Sequence, residues 1–75
     1  MGWDQKDAVG ELLEKGGRVK VFRNFSGDED CAGIVGHCGV AIYIEESEYA
    51  GRFPVRVKTD SGRLVWVHHM SVMKV

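Results

Sequence analysis

The chain has 75 residues, of which 44% are hydrophobic, and its formal charge is -1. A chain of this length forms one small domain (1–75) with a marginal core, because it buries only about 60% of its unfolded surface. The apolar share excludes general disorder, and the small charge removes the simplest electrostatic reason to expect a nucleic-acid binder.

The ends and the cysteines indicate the cellular context. Residues 1–7 are polar, unlike the basic start and apolar run of a signal peptide, and no apolar run is long enough to cross a bilayer. Cys31 and Cys38 are the only cysteines, too few for a disulfide scaffold in a small secreted chain. We therefore expect a cytoplasmic protein with two reduced thiols and no membrane association.

A helix is predicted over residues 4–15, bounded by an acidic N-cap and by a pair of glycines. Val9, Leu12 and Leu13 fall on one helical face. A helix of this length is marginal alone in water, so this face needs burial, together with Trp3. It can dock on the barrel of its own chain or on a second copy. We expect intramolecular docking and a monomer, with a homodimer as the alternative.

From residue 18 onward the apolar positions alternate, which predicts β-strands. The strands are predicted over 18–22, 39–44, 53–58, 63–68 and 72–75, with 33–36 re-entering the sheet before the second strand. Residues 23–32 are predicted to form a polar loop, 60–62 a hairpin turn and 69–71 a single 3₁₀ turn. The period of two assigns these side chains to the core: Val19, Val21, Val40, Ile42, Ile44, Phe53, Val55, Val57, Val65 and Val67.

This order of elements is typical of the SH3-like barrels: strand, long loop, strand, loop, strand, tight turn, strand, helical turn and short strand. The fold predicted is therefore mostly β, a five-stranded SH3-like barrel over 18–75 with a short N-terminal α-helix. Closure into a barrel would protect the edges that an open sheet exposes.

Residues 18–75 also resemble two branches of the small barrels. The segments 18–21, 33–36 and 39–40 are similar to KOW-type modules, in which glycines allow a sharp return into strand two. The segments 39–41 and 53–58 are similar to photosystem I subunit IV and related barrels, which carry Gly-x-Val and later aromatic-Pro-Val-x-Val. Because glycines, valines and one proline report backbone geometry, the resemblance implies a fold more than a function.

The outward positions suggest a binding surface. Alternation places Tyr43, Arg56, Lys58, Trp66 and His68 on the outer side of the sheet, where they would form an aromatic and basic patch. Aromatic residues and arginine dominate interface energetics, and they also stack on single-stranded bases. The N-terminal helix could instead lie over this side and make it part of the core, an alternative that we weigh slightly above an open patch.

Catalytic and metal chemistry are not indicated. Cys31, Cys38 and the three histidines lack the spacing of a zinc site, and we expect an exposed Cys31 and a buried Cys38. A barrel this small has little room for a cleft, and there is no phosphate loop or dinucleotide fingerprint. We expect no enzyme activity, no cofactor and no metal.

Two functions rank first and second for such a chain, and a metal or redox role of the cysteines and histidines ranks third. The first is a non-catalytic protein-interaction module, a small accessory or regulatory subunit whose protein partner the sequence does not identify. The alternative is a KOW-like nucleic-acid-binding module, since eight of the ten basic residues lie from Arg18 onward. One contiguous basic face made by residues 18, 20, 56, 58 and 63 would favour nucleic acid, and scattered positions would favour protein.

Overall fold

The computed structural model describes residues 5–45 and 54–75. Within them, antiparallel strands form a five-stranded sheet of order β4-β3-β2-β1-β5. The strands are β1 (Arg18–Val21), β2 (Cys38–Ile44), β3 (Val55–Thr59), β4 (Leu64–Val67) and β5 (Val72–Lys74), with a 3₁₀ turn (His69–Ser71) before β5. The mostly β class is confirmed. The order is compatible with a small barrel, but no ladder joins β4 to β5 among the described residues, so the sheet is open.

The core consists mainly of valines at alternate strand positions. Val19, Val21, Val55, Val57, Val65, Val67 and Val72 are buried, together with Leu13, Cys31, Ile34, Ala41 and Ile44. Burying one such side chain stabilises the fold by about 1.5–3 kcal/mol, so the seven valines supply much of the favourable free energy. Strict alternation therefore predicts the inward side correctly in β1, β3 and β4, whereas Phe53 lies outside the described residues.

The first half of β2 faces opposite to the expected direction. Gly39 and Ala41 point into the core, and Val40 is half-exposed. A Cβ atom on Gly39 would collide with the backbone oxygen of Lys58 and would lie 2.8 Å from the Cα of Thr59. Because β2 and β3 approach this closely, the inward positions accept only small side chains, and the larger Val40 turns outward.

A β-bulge then changes the phase of β2. The register with β3 shifts between Ala41 and Tyr43, which makes Ile42 the extra residue. Beyond the bulge Ile44 is buried and Tyr43 is exposed. The expected inward direction is thus correct for Ile44 and wrong for Val40 and Ile42, because an inserted residue reverses the sides to which the following side chains point.

The N-terminal segment is not the predicted helix. Residues 5–15 form turns and an isolated bridge between Lys6 and Leu12, and residues 1–4, including Trp3, lie outside the described residues. Val9 and Leu12 are 61% and 54% exposed, and Leu13 alone of the predicted stripe is buried. The helical spacing was therefore misleading, because a local side-chain interaction provides the backbone with other partners.

That interaction comes from Asp7, a carboxylate that is only 3% exposed. Its Oδ1 accepts hydrogen bonds from the backbone N–H groups of Val9 and Glu11, at 3.0 and 2.8 Å. Its Oδ2 accepts a third from the N–H of Lys74 at 2.8 Å, and the N–H of Ala8 donates to the carbonyl of Val72 at 3.0 Å. The segment therefore covers the outer edge of β5, where unpaired backbone groups would otherwise remain.

The connection between β1 and β2 also differs from the prediction. The expected polar loop contains the short helix α1 (Glu29–Ala32), and residues 33–36 form turns instead of re-entering the sheet. Ile34 is fully buried, so its apolar side chain contributes to the core without belonging to a strand. Among the described residues no helix has the length and apolar character needed to span a membrane.

Replacement of Asp7 by alanine should destabilise the protein by about 3 kcal/mol, because three backbone N–H groups lose their common acceptor. That is a large share of the stability expected for a small domain. Thermal and urea denaturation followed by circular dichroism would measure the change. Glu14→Ala is the matched control: it removes a carboxylate from the same segment, where the side chain is exposed. Equal stability of the two variants would contradict the role assigned to Asp7.

Candidate functional site

Three neighbouring strands place Tyr43, Arg56 and Trp66 in a row. Tyr43 in β2 lies opposite Arg56 in β3, and Arg56 lies opposite Trp66 in β4. The guanidinium carbon of Arg56 is 5.3 Å from the centroid of the Trp66 ring, within cation–π range. The Tyr43 and Trp66 rings meet edge to face with centroids 5.7 Å apart. The three side chains, called the aromatic row below, therefore form one contact cluster.

The aromatic row is assembled but remains accessible. Tyr43 is 42% exposed and Trp66 is 40% exposed. Arg56 is half-buried, and its Nε is buried without a hydrogen-bond partner. The stem of the arginine is thus enclosed.

A second row lies beside the first and mixes one cation with apolar side chains. Val40, Lys58 and Leu64 are direct neighbours across β2, β3 and β4. Lys58 is exposed and Leu64 is 49% exposed. We call Val40, Lys58 and Leu64 the mixed row. The sequence predicts the outward direction of Lys58 but the wrong direction for Val40.

The basic side chains of β1 lie on the same side of the sheet. Arg18 lies opposite Val40, and Lys20 lies opposite Cys38. We call the outward side of β1–β4 the outer face. Its side chains are Arg18, Lys20, Cys38, Val40, Tyr43, Arg56, Lys58, Leu64 and Trp66.

Arg18 is already neutralised on this face. Its two terminal nitrogens donate to the two carboxylate oxygens of Asp60, at 2.7 and 2.9 Å. These bonds hold the pKa of Asp60 below its ordinary value. The contribution of the pair to stability is therefore present above the unfolded pKa of the carboxyl group. It is lost as the pH falls through the lower folded pKa.

His68 does not belong to the aromatic row. Its ring lies 4.7 Å from the Phe25 ring and 4.7 Å from the His69 ring, while its Nδ1 accepts from the N–H of Met70. Arg23 lies 5.1 Å from the Phe25 centroid and extends this second cluster. The sequence does not predict this cluster, since no local pattern relates residue 25 to residue 68.

The described part of the N-terminal segment, residues 5–15, does not bury the aromatic row. It pairs with β5, at the opposite end of the strand order from β4, and Trp66 remains exposed. An open pocket of about 260 Å³ adjoins the row and is lined by Lys15, Tyr43, Ile44 and Glu45. This volume is below the roughly 300–1,000 Å³ of typical small-molecule sites. This pocket is therefore smaller than a typical small-molecule site, and the exposed rings of the aromatic row are the accessible feature beside it.

The cysteines are placed opposite to expectation. Cys31 is fully buried in α1, and Cys38 is half-buried in β2. Burial raises the pKa of the Cys31 thiol, which keeps it protonated near neutral pH. Across residues 5–45 and 54–75, no three His, Cys, Asp or Glu side chains are grouped in a way that could hold a metal ion.

Alkylation should therefore distinguish the two thiols. With iodoacetamide near pH 8, Cys31 should react on the order of a hundredfold more slowly than Cys38, because it needs both local opening and deprotonation. Mass spectrometry of the Cys31→Ser and Cys38→Ser variants would give the two rates. In urea the rates should become similar. Equal rates in the folded protein would contradict the burial of Cys31.

No protein-family model matches the chain, and the comparisons with curated proteins and with solved structures give no match either. Function must therefore be inferred from the contacts that this chain makes. The aromatic row is the most specific arrangement among them, because two exposed aromatic rings and one cation meet within contact distance.

Proposed function

We propose that this chain is a non-catalytic protein-interaction module that docks through its outer face. The observation that carries the proposal is the aromatic row, in which half-exposed Tyr43 and Trp66 meet edge to face and the guanidinium group of Arg56 lies over the Trp66 ring. Tryptophan, tyrosine and arginine are the residue types enriched among interface hot spots. Val40 and Leu64 in the adjacent mixed row add apolar area beside them.

The side chains of the aromatic row contact one another before a partner binds, which favours binding. Ordering a flexible side chain at an interface costs about 0.5–1.5 kcal/mol, so contacts made before association reduce that cost. Tyr43, Arg56 and Trp66 already contact one another without a partner. A partner would therefore meet a surface whose central side chains need little rearrangement.

The proposal includes an SH3-like barrel as the scaffold. The order β4-β3-β2-β1-β5 and the 3₁₀ turn before β5 support this assignment, as does the resemblance to KOW-type modules and photosystem I subunit IV. A small barrel presents its function on exposed strands and loops and not in a deep cleft. An accessory or regulatory subunit is the corresponding biological role.

A second candidate, a nucleic-acid-binding module, is favoured by one observation. Arg18, Lys20, Arg56 and Lys58 all belong to the outer face, next to two aromatic rings. Two contacts weaken this candidate: Asp60 neutralises Arg18, and Arg56 occupies a face of the Trp66 ring on which a base would stack. We therefore place it second.

Protein capture should depend on the aromatic row. Immobilised wild-type chain should retain specific proteins from nuclease-treated native lysate, and Trp66→Ala should lose them. Phe25→Ala is the matched control, since it removes an exposed aromatic ring from the second cluster. Quantitative mass spectrometry would compare the three baits. Equal retention by wild type and Trp66→Ala would contradict the proposed docking surface.

Nucleic-acid titration separates the two candidates. Fluorescence polarisation of labelled single-stranded DNA and RNA at low salt should show no specific binding if protein docking is the function. Binding that weakens steeply with salt and disappears in the Arg56→Glu, Lys58→Glu double variant would instead establish the second candidate. The Lys6→Glu, Lys74→Glu double variant controls for the change in net charge, because neither residue belongs to the outer face.

A further inference from the structure

We propose that the outer face binds an extended partner segment in which acidic and apolar side chains alternate. This inference rests on the proposed function and specifies the partner's chemistry. The segment would lie along β3 and β4, with carboxylates toward Arg56 and Lys58 and apolar side chains toward Trp66 and Leu64.

Charge complementarity identifies the acidic component. The outward positions of β1–β4 hold four basic side chains, Arg18, Lys20, Arg56 and Lys58, and no acidic one. Asp60 in the following turn pairs with Arg18. Within residues 5–45 and 54–75, Arg56 and Lys58 have no carboxylate partner, so no described residue compensates these two cations. A partner that brings carboxylates would supply the missing charge.

Cross-strand pairing identifies the apolar component. Arg56 lies directly opposite Trp66, and Lys58 lies directly opposite Leu64. Each cation therefore has an exposed apolar neighbour on the adjacent strand, at a Cβ separation of roughly 4.5–5.5 Å. Two cation–apolar pairs thus repeat along β3 and β4.

The repeat distance matches an extended chain. Arg56 and Lys58 are two residues apart in a strand, about 6.6 Å, and so are Trp66 and Leu64. In an extended peptide, side chains two residues apart point to the same side at that spacing. If the peptide lies flat on the face, one set of its side chains meets β3 and the other meets β4. A peptide of alternating acidic and apolar residues would therefore place its carboxylates beside the cations of β3 and its apolar side chains beside Trp66 and Leu64 of β4.

Arg56 contributes a directional contact. Its Nε is buried and unpaired and the residue as a whole is only half-buried, so we place the contact at its terminal nitrogens. A carboxylate meeting those nitrogens gains charge-assisted hydrogen bonds, which are stronger than neutral ones. An amide of the same shape lacks the charge, so replacing Asp by Asn in the partner tests this contact without changing its size.

The probe is a synthetic blocked peptide with the repeat Asp-Leu-Asp-Leu, titrated into the ¹⁵N-labelled full chain. Amide shifts should change in β3 and β4, and the isosteric Asn-Leu-Asn-Leu peptide should bind at least about tenfold more weakly. Arg56→Gln and Lys58→Gln should each reduce affinity for the Asp peptide by about tenfold. Each should also reduce the ratio of the affinities for the Asp and Asn peptides. Lys74→Gln is the control for loss of one positive charge and should change little, because Lys74 lies in β5 opposite the buried Val19, outside the outer face.

The outcomes distinguish this inference from the proposed function. Equal affinity for the Asp and Asn peptides would overturn the acidic specificity. An Asp peptide that leaves β3 and β4 unshifted would overturn the extended segment, while capture of proteins that depends on Trp66 would still support docking. Single-stranded DNA that displaces the peptide and needs Arg56 and Lys58 would assign the face to nucleic acid. The Lys58 side chain is exposed, so Lys58→Gln should leave the fold intact. A loss of affinity in this variant therefore reports binding and not unfolding.

Discussion

The β-bulge in β2 is the constraint on which the candidate surface depends. Before the bulge Gly39 and Ala41 face the core, and strict alternation would turn Tyr43 inward as well. The extra residue, Ile42, reverses the phase, so Tyr43 points outward opposite Arg56 while Ile44 returns to the core. Without it the aromatic row would lose one of its two rings, and a large phenol would be forced into the space beside small core residues.

The close approach of β2 and β3 explains why the bulge is needed. Gly39 leaves no room for a Cβ against the backbone of β3, so the inward positions at this end must be small. Farther along the strand the core accepts Ile44, a much larger side chain. Gly39 and Ala41 are two residues apart, but Ile44 lies three residues beyond Ala41. All three can face the core, with Val40 outside, only if the phase of the strand changes between Ala41 and Ile44. The tight inner contact and the outer aromatic row are therefore two consequences of one strand geometry.

The sequence predicts the parts of this structure that follow a simple period. In β1, β3 and β4 valines occupy every second position, and the buried side follows directly. The outward placement of Arg56 and Trp66 was therefore predictable. Alternation failed in β2, where backbone proximity excludes large side chains, and helical periodicity failed at the N-terminus, where the carboxylate of Asp7 captures backbone N–H groups. Both failures come from contacts between residues that a periodic pattern does not represent.

The net charge of the chain does not describe the charge of its outer face. A formal charge of -1 averages over the whole chain, whereas a partner meets one surface. Every acidic residue among the described ones lies outside the strands, while the charged side chains at the outward strand positions are all basic. The basic side chains are brought together by the sheet, because alternation directs every second residue of adjacent strands to the same side. A nearly neutral chain can thus present a cationic, aromatic face, and the mixture of exposed apolar and basic groups on it favours a protein segment over a bare polyanion.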